Sequence, residues 1–219
     1  MLRTSPALAA LALALPLASP ARTDGARPHA QPASRASRGP DARAAAPDGD
    51  RRLRIRAGLL RAEDERNAAD PAIVQALAHP VAAVRARAVR ALGRIGDPNS
   101  VALVSKSMVD RDAEVRREAA FALGEIGSPS ALTSLSRGLS SDDAQLRAMS
   151  AEALAKLGGS PAEKAQAGEL IVVRVLRTGA ERDPEVVARA LQSSWRFGAH
   201  VPGLVQAVSH AYLRVEPGI

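Results

Sequence analysis

The stretch VRARAVRALGRIG, residues 84–96, occurs twice more along the chain with substitutions that keep its apolar positions. The later copies are VRREAAFALGEIG at 115–127 and LRAMSAEALAKLG at 146–158, so the pattern repeats every 31 residues. Within each copy, apolar or small residues recur three and four positions apart, which is typical of one face of a helix. A unit this short cannot bury that face alone, so the copies are expected to stack on one another.

Each copy is preceded by a pattern that predicts another, shorter helix. We call this shorter helix the first helix of the unit, and the copy itself is the second helix. The first helix begins with an acid or serine followed by proline, because the side-chain oxygen accepts a hydrogen bond from a backbone amide and proline has no amide hydrogen to leave unpaired. These starts lie at Asp70, Asp97, Ser128 and Ser160. The second helix of each unit is followed by a glycine that favours a left-handed helix end: Gly96, Gly127 and Gly158. The predicted fold class is all-α, a right-handed α-solenoid of stacked helix–turn–helix repeats with a period of 31.

The segments that flank the three regular repeats of residues 70–158 are also predicted to be helical. Residues 51–69 contain LRIRAGLLRAEDER, an amphipathic segment that predicts an N-terminal capping helix. Residues 159–219 are predicted to form a degenerate repeat and a terminal helix. The β-branched stretch GELIVVRVLRTG, 168–179, could also form a strand, but Ser160-Pro161 before it favours a lengthened first helix. In the helix EVVARALQSSWRFG, 185–198, a second apolar stripe of Val187, Leu191 and Trp195 predicts that the helix is covered on two sides.

The first fifty residues have the composition of targeting and linker segments. Residues 1–21 predict a secretory signal peptide, with Arg3 before the apolar stretch Ala7–Ala18 and small residues at Ser19 and Ala21 for cleavage. Residues 22–50 contain no Leu, Ile, Val or aromatic residue, which predicts a disordered Ala/Arg/Pro-rich tether. The α-solenoid is then expected over 51–219. We expect an exported protein, periplasmic or secreted, with no membrane span.

The charge and cysteine counts limit the function classes. Formal net charge is +7, and beyond Asp50 the chain has 24 basic and 19 acidic residues. An Arg- and Ala-rich composition is weak evidence for a nucleic-acid partner, so such a partner is not favoured. The chain has no cysteine, which excludes disulfides, thiolate nucleophiles and cysteine-ligated zinc.

The repeated pattern VRxxAAxALGxIG, followed by Asp or Ser and Pro, resembles HEAT repeats of the phycobilisome-lyase type. The resemblance implies the solenoid fold and, in known members, functions as different as bilin-lyase subunits and deoxyhypusine hydroxylase. That hydroxylase holds two irons with His-Glu pairs, and no histidine here is followed by Glu; the four are His29, His79, His200 and His210. The chain is also similar to exported bacterial proteins with such repeats ahead of a cyclophilin-type prolyl isomerase domain.

No arrangement of residues predicts an enzyme, a metal site or a cofactor. The acids cluster at helix ends and turns, where capping explains them, and His79 before Pro80 is typical of a turn. A repeated arginine at Arg85, Arg116 and Arg147 predicts a structural pairing with turn acids such as Asp112 and Asp143.

The informative surface is the face of the second helices that the buried stripe leaves free. In this architecture second helices line the concave side of the solenoid, so we expect this face to bind the partner. It comprises Arg87, Arg90, Arg94, Glu118, Phe121, Glu125, Met149, Glu152 and Lys156. Phe121, a large aromatic among charges, has the features of an interface anchor, although packing into the core would also explain it.

The sequence therefore predicts a non-enzymatic scaffold or adaptor that binds another protein or peptide segment on this concave face. Two alternatives remain: the N-terminal regulatory half of a longer exported enzyme such as a prolyl isomerase, and a basic polyanion or nucleic-acid binder. The mixed charge of the face favours a protein segment, because a phosphate backbone selects basic residues along its whole track.

Overall fold

The structure is a computed structural model that describes residues 48–177, 181–201 and 203–215. The predicted signal peptide and residues 22–47 of the predicted tether lie outside these residues. The last three residues assigned to the tether are helical, since the first helix begins at Asp48 rather than at Arg51.

The described residues form ten α-helices joined by short turns and contain no strand. The α-helices are α1 (Asp48–Asp64), α2 (Pro71–Leu77), α3 (Ala82–Ile95), α4 (Val101–Ser107), α5 (Ala113–Ile126), α6 (Leu132–Gly138), α7 (Ala144–Lys156), α8 (Pro161–Ile171), α9 (Pro184–Ser194) and α10 (Leu204–Val215). Three short 3₁₀ segments lie at Pro98–Ser100, Pro129–Ala131 and Trp195–His200, and a π-helix at Val172–Arg177. None of the described helices has the length and apolarity to cross a bilayer.

The long helices form one layer, in which α1 packs against α3, α3 against α5, α5 against α7, and α7 against α9. The short helices α2, α4 and α6 each pack against the long helix that follows them. This order of helix pairs is an α-solenoid, as the repeat predicts. Helix α1 belongs to the long layer, so it is a second helix whose own first helix is missing from the described residues.

The repeated apolar positions form the core. Ile73, Val104 and Leu135 of the short helices are fully buried, as are Leu92, Leu123 and Leu154 of the long ones. Successive long helices approach closely where a glycine meets an alanine: a Cβ added to Gly93 would lie 2.8 Å from the Cα of Ala122. Gly124 stands in the same relation to Ala153, at 2.9 Å. The small residues of the repeat therefore set the spacing of the long layer.

The helix ends follow the predicted capping pattern with three differences, one of which is that the Ser128 side chain accepts no hydrogen bond from a backbone amide. Gly96 and Gly127 end α3 and α5 in the left-handed conformation, with φ of 71° and 67°. The prediction for Gly158 is wrong: α7 ends at Lys156, the Gly158 amide donates to the Gly127 carbonyl at 2.7 Å, and Gly159 has the positive φ. The starts at Pro98 and Pro129 open a 3₁₀ turn before the α-helix.

The repeated arginines have the predicted structural role, but the predicted acids are wrong. Each donates from Nη1 to the two carbonyls that lie six and five residues before it, which fixes the turn of its own repeat. Arg85 pairs with Asp110 and Arg147 with Glu181. Asp112 instead caps α5, and Asp143 pairs with Arg117. Arg85 and Arg147 each reach an acid in the turn of the following repeat. That acid lies 25 residues after Arg85 and 34 residues after Arg147, so the 31-residue period does not predict it.

In the irregular C-terminal unit, residues 168–177 are helical rather than a strand: α8 continues through the π-helix to Arg177. Residues 178 and 179 lie outside the described residues. In α9, Val186, Val187 and Ala190 are buried, so two sides of this helix are covered. The predicted second stripe is covered at Val187 but not at its end, since Trp195 is 71% exposed. Trp195 has the position of Gly93 in its repeat, which faces the next helix of the long layer, and within the described residues no helix of that layer follows α9.

Candidate functional site

The nine predicted residues lie at three equivalent positions on α3, α5 and α7, and we call them the second-helix face. Arg94 and Glu125 are exposed, and Glu118 is buried. The other six are half-buried: Arg87, Arg90, Phe121, Met149, Glu152 and Lys156. The helices that carry them pack side by side, so the structure brings all nine onto one continuous layer.

Between α1 and α3, a carboxylate of α1 pairs with two of the predicted arginines. Glu63 lies 3.0 Å from Nη1 of Arg94 and 3.7 Å from Nη2 of Arg87. Its side chain is only 12% exposed. Glu63 is not among the residues predicted from the sequence, because the pattern of α1 predicts only a capping helix. The available signal is its position, 31 residues before Arg94.

Between α3 and α5, Arg90 pairs with the buried Glu118. The Nε of Arg90 donates to Oε2 of Glu118 at 2.9 Å, and Nη2 donates to Oε1. The Glu118 side chain is 8% exposed, whereas that of Arg90 is 42% exposed. A buried carboxylate depends on its cation, because removal of one partner leaves an uncompensated charge away from water. Arg90 therefore supports the fold as well as the surface.

Between α5 and α7, one ammonium joins two carboxylates and an aromatic ring. Nζ of Lys156 lies 2.9 Å from Glu125 and 2.8 Å from Glu152, and 5.4 Å from the centroid of Phe121. Burial acts to lower the pKa of Lys156, but the hydrogen bonds to Glu152 and Glu125 outweigh it, so the pKa is raised. The cation thus stays charged over the ring, within the range of a cation–π contact.

Between α7 and α9, the face continues beyond the predicted residues. Nη1 of Arg189 lies 3.5 Å from Oε2 of Glu152. Counted back from Phe197-Gly198, Arg189 has the same place in its helix as Arg87 has in α3. Arg189 is not among the residues predicted from the sequence, because the period lengthens in this unit and the addition of 31 to Lys156 or Glu152 does not lead to it.

These contacts give the second-helix face two properties. First, all four of its cations lie within 4 Å of a carboxylate of α1, α5 or α7, and with Glu63 included the face carries equal numbers of basic and acidic residues. Second, the junctions between its helices differ in character. Arg90 of α3 pairs with Glu118 of α5, and Glu152 of α7 pairs with Arg189 of α9, so these two junctions between long helices are charged. At the α5–α7 junction, the positions equivalent to Arg90 and Glu118 hold Phe121 and Met149.

Elsewhere, the polar groups serve the fold. His79 is buried, and its Nδ1 accepts a hydrogen bond from the amide of Val81 at 3.1 Å, which is the turn role expected for it. Within 48–177, 181–201 and 203–215, no group of three or more His, Cys, Asp or Glu side chains could hold a metal ion.

Two family models match the repeats. The model of HEAT repeats matches residues 102–194, and that of the PBS lyase HEAT-like repeat matches residues 84–110. Comparison with curated proteins gave no match. Among solved structures, the chain is similar to an engineered protein determined by crystallography, at 19% identity and a TM-score of 0.47 over 80% of this chain and 94% of that one.

The matched ranges cover the long helices α3, α5, α7 and α9, whose order and packing are those of stacked helix pairs. HEAT repeats commonly mediate protein interactions, and their families are generally non-catalytic scaffolds. The chain is a HEAT-repeat protein with repeats of the PBS lyase HEAT-like type.

Proposed function

We propose that this protein is a non-enzymatic scaffold that binds a segment of another protein along the second-helix face. The observation that carries the proposal is the apolar junction of Phe121 and Met149 between two charged junctions. Binding energy in protein interfaces concentrates in a few central apolar or aromatic residues, while a polar surround excludes water. The face has this arrangement on a layer that the ion pairs between repeats hold in one geometry.

The bound segment is expected to place an apolar side chain on Phe121 and Met149. Charges of both signs lie beside this junction, with Arg90 on one side and Glu152 on the other. Because the face carries both signs, a segment with charges of both signs would match it better than a segment of one sign. Electrostatic matching of this kind contributes mainly to specificity and to the rate of association.

The charge balance of the face does not favour the polyanion alternative. A protein that binds a phosphate backbone needs cations free to displace counterions. On this face each cation already faces a carboxylate, and Glu63 and Glu118 compensate the arginine-rich α3. A phosphate chain would have to compete with these carboxylates at every step along the layer.

The test is capture of partners by the tagged full-length chain and its variants, with identification by mass spectrometry. We expect Phe121→Ala to weaken binding by about 2 kcal/mol, roughly thirtyfold, as for a central anchor. The control is Val109→Ala, which truncates a residue that is 81% exposed outside the face. Circular dichroism and melting should be nearly the same for both variants and the wild type.

A charge reversal at Arg90 is not a suitable test of binding. Arg90→Glu would place a second carboxylate beside buried Glu118 and lower the stability of the fold. Salt separates the alternatives: capture of a protein segment through Phe121 should survive moderate salt, whereas phosphate-dominated binding weakens steeply. Partners that bind Phe121→Ala as well as the wild type would refute the proposal. Recovery of nucleic acid that washes away with salt would do so too.

We further propose that the scaffold acts outside the cytoplasm, on the strength of the signal-like residues 1–21. Arg3 precedes an apolar stretch that ends before the small residues Ser19 and Ala21. The test is expression of the full chain, fractionation of the cells and N-terminal sequencing. Export predicts a mature N-terminus at Arg22, and a full-length cytoplasmic product would contradict it.

A further inference from the structure

The acid that pairs with the repeated arginine has one place in the turn, two residues before the aspartate that caps the next long helix. Asp110 lies two residues before Asp112, the N-cap of α5, and Glu181 lies two residues before Asp183, the N-cap of α9. In both turns this acid also accepts a hydrogen bond from the backbone amide of the capping aspartate, at 2.9 Å. One carboxylate thus holds its own turn and receives the arginine of the repeat before it.

In the turn before α7, a serine has the place of that acid. Ser141 lies two residues before Asp143, the N-cap of α7, and its Oγ accepts a hydrogen bond from the Asp143 amide at 3.2 Å. The serine hydroxyl is shorter than a carboxylate and carries no charge, and it forms no hydrogen bond with Arg116, the arginine of the repeat before it. This junction therefore keeps the arginine and lacks the acid.

Arg116 makes only half of the contacts that Arg85 and Arg147 make. Its Nη1 donates to two backbone carbonyls, as in the other repeats. In Arg85 and Arg147, Nε and Nη2 both donate to one carboxylate, at 2.6–3.0 Å. In Arg116 these two atoms have no partner among the described residues, and both reach solvent, because neither is among the buried polar atoms that lack a hydrogen bond. The guanidinium edge that binds a carboxylate in two repeats is thus accessible in this one.

The acids of the turn before α7 do not fill this place. Asp143 receives two hydrogen bonds from Arg117, at 2.9 and 3.1 Å, and so its charge is already compensated. Asp142 is exposed and forms no ion pair with a described residue. A carboxylate beside Arg116 is compatible with the capping aspartate, because the other two turns hold an acid and a capping aspartate at the same spacing.

We propose that Arg116 binds the carboxylate of an acidic side chain on another protein, in the place that Asp110 and Glu181 have in their own repeats. Nε and Nη2 donate to the two carboxylate oxygens, a bidentate geometry that favours a planar carboxylate. The hydroxyl of Ser141, which donates no hydrogen bond to a described residue, donates to one of these oxygens. The site is separate from the second-helix face, since Arg116 lies two residues before Glu118 and thus about 200° away around α5.

The carboxylate is expected to come from a partner that makes other contacts with the chain. One partly exposed ion pair contributes at most about 1 kcal/mol, so a free small carboxylate would occupy the site only at high concentration. The acidic side chains outside the described residues are Asp24, Asp41 and Glu216. Asp24 and Asp41 belong to residues 1–47, whose six arginines compete with Arg116 for them. An acid on a partner protein has neither limit and adds to the specificity of recognition.

The test is an NMR titration of the isotope-labelled full-length chain that follows the Nε–Hε signal of Arg116, identified by its absence in Arg116→Lys. The probe is the blocked peptide acetyl-Ala-Glu-Ala-amide at constant ionic strength, and the matched peptide has Gln in place of Glu. We expect the Glu peptide to shift this signal progressively at millimolar concentrations, and the Gln peptide to shift it about tenfold less. Ser141→Asp should remove the response, because its own carboxylate fills the place. Ser141→Asn, of the same shape without the charge, should keep it.

Further variants separate this site from the rest of the chain. Lys106→Ala, which removes an exposed cation of α4, and Phe121→Ala on the second-helix face should respond like the wild type. Asp142→Asn should respond more strongly, because it removes a negative charge near the bound carboxylate. The absence of a shift with the Glu peptide, equal shifts with the two peptides, or an unchanged response in Ser141→Asp would overturn the proposal.

The chain's own acids are tested without any peptide. The triple variant Asp24→Asn, Asp41→Asn, Glu216→Gln should leave the Arg116 signal where it is in the wild type. A displaced signal would identify the chain itself as the source of the carboxylate and would overturn the proposal. A larger shift with inorganic phosphate than with the Glu peptide at the same concentration would do so as well, since it assigns the site to a different anion.

Discussion

Arg85 donates hydrogen bonds from Nε and Nη2 to the two carboxylate oxygens of Asp110, at 2.8 and 2.7 Å. Its Nη1 donates to the carbonyls of His79 and Pro80 at 2.9 and 3.0 Å. The side chain is only 8% exposed. One guanidinium therefore joins the turn of its own repeat to the turn of the next, and the solenoid depends on such junctions because each unit contacts only its neighbours.

The substitution Arg85→Ala should lower the free energy of unfolding by about 3–5 kcal/mol, because it leaves the largely buried Asp110 carboxylate without its cation and the His79 carbonyl without its donor. The matched variant is Arg116→Ala, 31 residues later. Arg116 donates to the carbonyls of Asp110 and Arg111 and has no acid partner among the described residues, so about 1 kcal/mol is expected. Urea unfolding followed by circular dichroism measures both, and equal losses would contradict the role of Asp110.

Stability should fall in acid, in part through Asp110. The hydrogen bonds from Arg85 hold the pKa of Asp110 below its ordinary value in the folded state. Its contribution is therefore present above the unfolded pKa of about 4 and is lost as pH falls through the lower folded pKa. Urea unfolding at pH 7 and pH 3 should show a smaller drop for Asp110→Asn than for the wild type. Equal drops would mean that Asp110 does not contribute.

The regular part of the fold could be predicted from sequence because its information is local and repeated. Each Leu92-type position is buried by the same neighbours in every unit, so three copies of one pattern are enough to identify it. The partners of the charged residues could not be predicted in this way. Arg85 finds Asp110 and Arg147 finds Glu181 at different separations, because those pairings depend on turn length and on the register between helices.

The second-helix face could be predicted as a set of positions but not as a network. Its residues follow from the helical period, whereas the burial of Glu118 and the pairing of Glu63 with Arg94 depend on how adjacent helices lie. The sequence pattern does not predict the exposure of Leu60 and Trp195. The position of Leu60 is buried only when another long helix precedes it in the layer, and the position of Trp195 only when another long helix follows.

The spacing of the long layer predicts an unusual response to a glycine substitution. Gly93 lies inside α3, where alanine normally stabilises a helix by about 1 kcal/mol. Here the added Cβ would lie 2.8 Å from the Cα of Ala122, so α3 and α5 must separate. We expect Gly93→Ala to destabilise the fold by about 1–3 kcal/mol.

The control for this variant is Gly49→Ala in α1, where the added Cβ meets no atom within 4 Å. This change should leave stability unchanged or raise it by up to about 1 kcal/mol. Thermal melting compares the two variants directly. If Gly93→Ala melts like Gly49→Ala, then contact between the long helices does not limit the size of the residue at position 93.

The single tryptophan of the chain reports on the C-terminal end of the stack. Trp195 is 71% exposed, and the guanidinium of Arg196 lies 4.9 Å from the centroid of its ring. We expect emission at the wavelength of a solvated indole, with little shift on unfolding in urea, and strong quenching by acrylamide. Arg196→Ala should change the intensity but not the wavelength, because the cation contacts the ring without shielding it from water. Blue-shifted emission that moves to the red in urea would show that another helix covers Trp195, and the layer would then extend beyond α9.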